Sequence, residues 1–324
     1  MTRVIFVLSL LGAVVPPLIY LVGVRWLGRL EREPLHILLL VLSWGAIGGT
    51  VGGLVGSSVI GDTLGVVFDP RLMMDFVEFA VYVPAGEEIA KGIVLVALAS
   101  TSRLSHTTSG LIYGFAVGLG FAITENIIYS LHVFQVSGIS DWYSNMVVRT
   151  VFSSTVHGIC SAMFGYCLGW AKTRIPGEPR YIFGSMVGLS MAFSLHGGWN
   201  ALMFLGDEMG DPLFTITAFV STPFLVLTLL AVTYHSLRAE GKILRLELTA
   251  ESLEGVIPAE HIPVLCATLH PLKRAPGWLK EGVEEARYVE LACLLALRRN
   301  AQAPAEELEL LRGQIKGVLE VGGA

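Results

Sequence analysis

Four stretches of the sequence carry groups able to activate water. Pro84-Ala85-Gly86-Glu87-Glu88-Ile89-Ala90-Lys91 places two adjacent carboxylates beside a cation. Glu87 and Lys91 are four apart, share a helix face and can pair. Glu88 points about 100° away and is left without that partner. Two carboxylates side by side in a low dielectric resist ionising together, the condition in which one of them works as a general base or acid. Gly120-Phe121-Ala122-Ile123-Thr124-Glu125-Asn126 adds a third carboxylate with an amide next to it. Ser153-Ser154-Thr155-Val156-His157-Gly158 and Ser194-Leu195-His196-Gly197-Gly198-Trp199-Asn200 each add an imidazole. His196 and Asn200 are four apart and lie on one helical face. Gly197 and Gly198 let a neighbouring helix or a substrate backbone approach closely. Each stretch has a bland reading: a Glu–Lys pair gluing helices, a packing hydrogen bond at Glu125, a satisfied core histidine. Two histidines alongside two acidic stretches favour chemistry over packing.

All four stretches lie inside apolar runs. A charge at a bilayer centre costs roughly 2.5–3.5 kcal/mol on insertion scales, so a carboxylate kept there signals a role. The 324 residues are 53% hydrophobic and 15% charged, against about 25% charged in soluble domains. The apolar residues cluster in runs long enough to cross a ~30 Å hydrocarbon core as helices. The 36 glycines suit close helix packing in lipid. The class is all-α, a polytopic membrane bundle of about seven spans, near 4–24, 35–59, 77–100, 110–135, 147–171, 181–206 and 213–235. Pro16 and Pro17 interrupt the first run and no small-x-small site follows, so it reads as an uncleaved span. Pro16 and Pro17 splitting that span, or a re-entrant segment over 60–76, would change the count.

Arg25, Arg29, Arg32, Arg103, Lys172, Arg174, Arg180, Arg238, Lys242 and Arg245 fall on one side. The other side has Arg3, Arg71 and Arg149, with Asp207, Glu208 and Asp211 in its last loop. The positive-inside rule then predicts a multi-pass plasma-membrane protein with its N-terminus outside and its C-terminal region in the cytoplasm. On that topology Glu88, Glu125, His157 and His196 each lie about 10 residues from the outer end of a span, so helical rise brings them to one depth.

Two regions follow from composition: a transmembrane bundle over 1–235 and a cytosolic helical region over 236–324. Helical patterns in the latter fall at Ala259–Leu269, Glu284–Arg299 and, started by Pro304, Glu306–Leu319. Cys160 and Cys167 share a helix too far apart to bridge, and without a CxxC pair no thiolate metal site is expected. His36, His106, His132, His235, His261 and His270 read as interfacial or surface residues. The net charge of −5 argues against a nucleic-acid partner.

With these motifs in order, the sequence resembles the PrsW family of intramembrane proteases, within the CAAX-protease and bacteriocin-processing superfamily. The family pattern is E-E-x-x-K, F-x-x-x-E, then H-x-x-x-D. Glu87–Lys91 and Phe121–Glu125 match the first two, and His196–Asn200 matches the third with Asn in place of Asp. That Asn is similar to the CAAX-endopeptidase branch, whereas Glu125 is not. The resemblance covers about residues 77–206. It implies hydrolysis of a peptide bond in membrane-anchored substrates such as anti-sigma factors. Glu87 or Glu88 would be the base, with Lys91 and Glu125 in the site. Glu88, His157 and His196 would be ligands if a metal is bound, and Asn200 a donor to the oxyanion. Carboxylate and imidazole ligands suit zinc, and a metal-independent mechanism with glutamate and histidine stays open. Two readings compete. An ion-coupled transporter would favour internal repeats, and none is visible. A non-catalytic scaffold or substrate-binding member of the same fold is opposed by the intact Glu-Glu pair and both histidines.

Overall fold

The computed structural model describes residues 2–27, 33–64, 75–101, 103–104, 106–175, 177–266, 279 and 284–321. Arg29, Arg32, Arg71, His270, most of the re-entrant alternative and the end of the Ala259–Leu269 pattern lie outside the described residues. All regular structure in the described residues is helical. In chain order the helices are α1 (Thr2–Leu27), α2 (Leu35–Trp44), α3 (Thr50–Leu64), α4 (Val83–Ala99), α5 (Thr107–Ser137), α6 (Ile139–Val148), α7 (Ser154–Arg174), α8 (Pro179–Glu208), α9 (Pro212–Leu253), α10 (Ile262–Leu265), α11 (Glu285–Asn300) and α12 (Ala305–Val321). Three π turns interrupt them: Gly45–Gly49 joins α2 to α3, Glu78–Tyr82 leads into α4, and Arg149–Ser153 joins α6 to α7.

Five stretches of described helix are long and apolar enough to cross a membrane: Arg3–Arg25, Leu35–Thr63, Thr107–Ser137, Ile139–Arg174 and Pro212–Leu253. The count of seven is therefore not reached on length and composition. The two expected spans that fall short are α4, which carries Glu87, Glu88 and Lys91, and α8, which carries the polar run His196–Asn200. The polar groups that make these helices interesting also lower their hydropathy.

The bundle is built around α5. Every residue from Thr108 to Ala122 is buried, which is why this helix has no apolar stripe: it has neighbours on all sides. Its closest partner is α7. A Cβ on Gly110, Gly114 or Gly118 would strike the backbone carbonyl of Gly165, Ser161 or His157 respectively. Small residues at four-residue spacing let the two backbones meet, as in other lipid-embedded helix pairs. Gly118→Ala is thus expected to push α7, and His157 with it, away from α5. Overpacking of this kind costs typically 1–3 kcal/mol. Thermal unfolding in detergent should show the loss, and proteolysis should fall with it. An unaltered, fully active variant would mean that the contact is slack. At the periphery, α1, α3 and α9 expose large apolar side chains such as Val22, Leu54 and Leu227, a surface suited to lipid.

The composition change at 236 does not coincide with a structural break, because α9 runs unbroken from Pro212 to Leu253. Beyond the bundle it forms one wall of a second core with Leu244, Leu248, Tyr288, Leu291, Leu295 and Ile315. The expected tail helices are observed as α11 and α12, while Ala259–Leu265 forms a 3-10 turn and the single-turn α10. Glu251, fully buried, accepts from Arg299 at 2.5 Å and from Arg312 at 2.7 Å, tying α9 to α11 and α12. The Tyr288 hydroxyl lies 2.9 Å from His261 Nδ1. Burial pushes the Tyr288 phenol up and holds the His261 imidazole below its ordinary value. His106, expected at the surface, is buried: it bonds Ser109 at 2.9 Å and lies 3.8 Å from Glu240 of α9. Glu240 also accepts the Thr108 N–H at 3.0 Å, capping the start of α5 from another helix. Tertiary capping of this kind leaves no local sequence signal. All four cysteines are free and buried.

Candidate active site

Four helices bring Glu87, Glu88, Lys91, Glu125, His157 and His196 into one buried cluster. Glu87, Glu88 and Lys91 sit on α4, Glu125 on α5, His157 on α7 and His196 on α8. The common depth expected from helical rise is realised as direct contact. The His157 and His196 rings meet edge to face with centroids 4.7 Å apart. His157 Nε2 lies 2.7 Å from Glu125 Oε2, and the same oxygen lies 2.7 Å from the Arg149 guanidinium. His196 Nδ1 lies 2.9 Å from Glu88 Oε1.

Lys91 is the hub. Its Nζ lies 2.5 Å from Glu88 Oε1, 3.8 Å from Glu87 Oε2 and 3.4 Å from His157 Nδ1, and 4.1 Å from the centroid of the Phe121 ring. This corrects the expected pairing. Lys91 reaches Glu88 at i,i+3 more closely than Glu87 at i,i+4, since α4 turns Glu88 inward toward α8. Glu88 is fully buried and holds both Lys91 and His196 through Oε1.

Glu87 is the less engaged one. Its Oε2 is buried and takes no hydrogen bond, with His196 Nε2 at 3.7 Å as its nearest imidazole nitrogen. Glu87, His157 and His196 each present a ligand atom, all within 4.8 Å of one another. The expected ligand set contained Glu88; the carboxylate that groups with the two histidines is Glu87, while Glu88 binds Lys91 and His196 through Oε1 and leaves its buried Oε2 without a hydrogen bond. A carboxylate oxygen left without a donor, facing two imidazoles, fits a divalent ion of the zinc type, which takes His and carboxylate ligands and in catalytic sites uses three from the protein.

Asn200, expected to face the oxyanion, is elsewhere. Its Nδ2 donates to the Phe79 carbonyl at 3.1 Å, inside the π turn that leads into α4. The other two π turns are held in the same manner. Thr124 donates to the Ala46 carbonyl at 2.8 Å. Ser154 and Asn126 donate to the Arg149 carbonyl at 3.0 and 3.4 Å. A π turn widens the helix and leaves a carbonyl for a side chain to satisfy, and such turns recur at functional sites. Here they set the rotation of α4 and α7, hence where Glu87 and His157 point. Asn200, Thr124, Asn126 and Ser154 thus each donate to a carbonyl of a π turn. Arg149 is the site residue that the sequence did not single out; the available signal was a lone arginine two turns before His157 in an apolar run.

Fold and site together bury a cluster of carboxylates and imidazoles within a bundle whose long helices are apolar enough to cross a membrane. The chain belongs to the PrsW family of intramembrane metalloproteases, whose family model matches residues 33–232, and it is therefore a protease. It is similar to Protease PrsW of Oceanobacillus iheyensis, 24% identical over 233 residues that make up 72% of this chain and 96% of that protein. Protease PrsW of Geobacillus kaustophilus is 25% identical over 204 residues, 62% of this chain and 83% of that one. Protease PrsW of Shouchella clausii is 28% identical over 118 residues, 36% and 50% respectively. No solved structure matches.

Proposed function

We propose that this protease hydrolyses a peptide bond in the membrane-anchored segment of a protein substrate, of the anti-sigma-factor kind that the resemblance implies, with a zinc ion held by Glu87, His157 and His196. The observation that carries the reading is the buried Glu87–His157–His196 group, with ligand atoms within 4.8 Å of one another. Bound there, the ion supplies Lewis acidity and a water of lowered proton affinity. Glu88 fixes the His196 tautomer and ring angle from its Nδ1 side, and Glu125 does the same for His157, as carboxylate partners of ligand histidines do. Glu125, whose side chain is 17% exposed while Glu88 is sealed, is the carboxylate that would take the proton of the attacking water as its oxygen bonds to the carbonyl carbon, and would return that proton to the amine nitrogen as the C–N bond breaks. Lys91 and Arg149 neutralise the surrounding carboxylates, and the helices keep bulk water out. This assigns proton transfer to Glu125 in place of the Glu87 or Glu88 expected from the motif.

The test pairs metal analysis of purified protein with cleavage of a membrane-anchored peptide. About one equivalent of zinc, and activity lost with a chelator and restored by zinc, is the expected result; full activity in metal-free protein would return the chemistry to glutamate and histidine alone. The same reading sets α1, α2–α3, α4, α5, α6–α7, α8 and α9 across the plasma membrane as seven spans, N-terminus outside, with the site reached from the outer side. A reporter fused after Arg245 should read cytoplasmic and one in the Asp207–Asp211 loop external. Reversed reporters would invert the protein and the side from which a substrate enters.

A further inference from the structure

We propose that the cavity where α9 emerges from the membrane binds the phosphate headgroup of an anionic phospholipid. The cavity measures about 870 Å³ and is lined by Arg174 at the end of α7, by His235, Arg238, Lys242 and Arg245 of α9, and by Cys266. On α9 the basic residues recur at intervals of three, four and three, so they share one helix face. Ala239 and Gly241 between them add no bulk. Among the described residues no carboxylate lines the cavity and none of its four cations has an ion-pair partner. The contrast with the neighbouring tail is direct: Arg299 and Arg312 there are saturated by Glu247, Glu251 and Glu254. Four unneutralised cations around one hollow favour an anion with several acceptor oxygens, and guanidinium forks match phosphate.

The level of the cavity identifies the source of the phosphate. Arg238 stacks over Tyr234 at 4.7 Å, and Arg174 over Trp170 at 5.3 Å. On each helix the aromatic ring lies one turn before the arginine. Tyr and Trp concentrate at the membrane–water boundary. On the other side of Tyr234, α9 exposes Phe224, Leu227 and Leu230, at 63%, 60% and 45%. Tyr234 thus stands between this apolar stretch of α9 and its basic face, which begins about 6 Å further along the axis. A soluble phosphate would meet only the cations. A phospholipid meets both surfaces, with its acyl chains along Leu227 and Leu230 and its phosphate among Arg174, Arg238 and Lys242. Basic pockets between helices on the cytoplasmic side hold anionic headgroups in this way. The site is separate from the Glu87–His157–His196 group and does not depend on its chemistry.

The test is thermal unfolding of the detergent-solubilised full chain, titrated in parallel with phosphatidylglycerol, phosphatidylcholine and glycerol 3-phosphate. Saturable stabilisation by phosphatidylglycerol alone is expected. Arg238→Gln/Lys242→Gln/Arg245→Gln should bind it on the order of 100-fold more weakly, each cation near the surface contributing about fivefold. These side chains are exposed and unpaired, so the variant should unfold in lipid-free detergent where the parent does. Arg174→Gln, on a different helix, should weaken binding independently and covers the case in which the triple variant fails to fold. Equal stabilisation by phosphatidylcholine, or undiminished binding in these variants, would overturn the site. Saturation by glycerol 3-phosphate alone would overturn the lipid assignment.

Discussion

Glu87→Gln should reduce peptide hydrolysis by roughly 10³–10⁴-fold, because the ion that it helps to hold supplies the Lewis acidity on which water activation at Glu125 depends, while the protein still inserts and purifies. Gln keeps the shape of the side chain and its packing against α3, so the variant isolates the charge. Metal content separates Glu87 from Glu88. If Glu87 is the ligand, Glu87→Gln loses the stoichiometric metal. Glu88→Gln, which touches His196 and not the proposed ion, should keep it with about 10–100-fold weaker affinity, as loss of a ligand's orienting partner does. The converse pattern, metal lost with Glu88→Gln and kept with Glu87→Gln, would restore the ligand set read from the motif. Normal turnover in both variants would remove the water-activation mechanism altogether.

The ambiguity between the two glutamates shows where the sequence stops being informative. Helical spacing correctly brings α4, α5, α7 and α8 to one depth, because depth depends only on rise per residue. Rotation about each helix axis is a different matter. Adjacent residues such as Glu87 and Glu88 differ by about 100°, and a π turn upstream shifts that phase by a whole residue. The turns at Glu78–Tyr82 and Arg149–Ser153 precede both critical helices, and π turns have no composition of their own. The bond from the Asn200 amide to the Phe79 carbonyl, inside the first of these turns, is equally invisible in the spacing of α8. The third motif stayed visible because His196 and Asn200 lie on the same face whatever they bind. Likewise, the positive run after residue 235 was legible as topology, but its gathering into a cavity with Arg174 depends on where α7 ends beside α9. The family match ends at residue 232, and within the tail the helix pattern was readable from apolar spacing while the Glu251 ion pairs, spanning 48 and 61 residues, were not.

Lys91→Met should have the largest effect on stability. The Lys91 side chain is 1% exposed and faces Glu88, Glu87 and His157. Met fills similar volume, so little cavity forms. What is lost is the cation among carboxylates that are sealed from water. Removing one partner of a buried ion pair typically costs 3–5 kcal/mol, chiefly because the remaining charge is left uncompensated. The variant should therefore unfold at clearly lower temperature in detergent and express poorly. The double variant Glu88→Gln/Lys91→Met removes the orphaned charge together with its partner. Replacing both members of a buried pair with neutral groups of matched volume is often close to neutral, so the double variant should regain most of the stability lost by Lys91→Met. It should not regain activity, because Glu88 no longer holds His196 and Lys91 no longer holds the carboxylate cluster together. Recovery of stability without recovery of turnover separates the structural role of Lys91 from its place in the site. If Lys91→Met is as stable as the parent, the carboxylates are not relying on this cation, and the arrangement around Glu87 must be neutralised by other means.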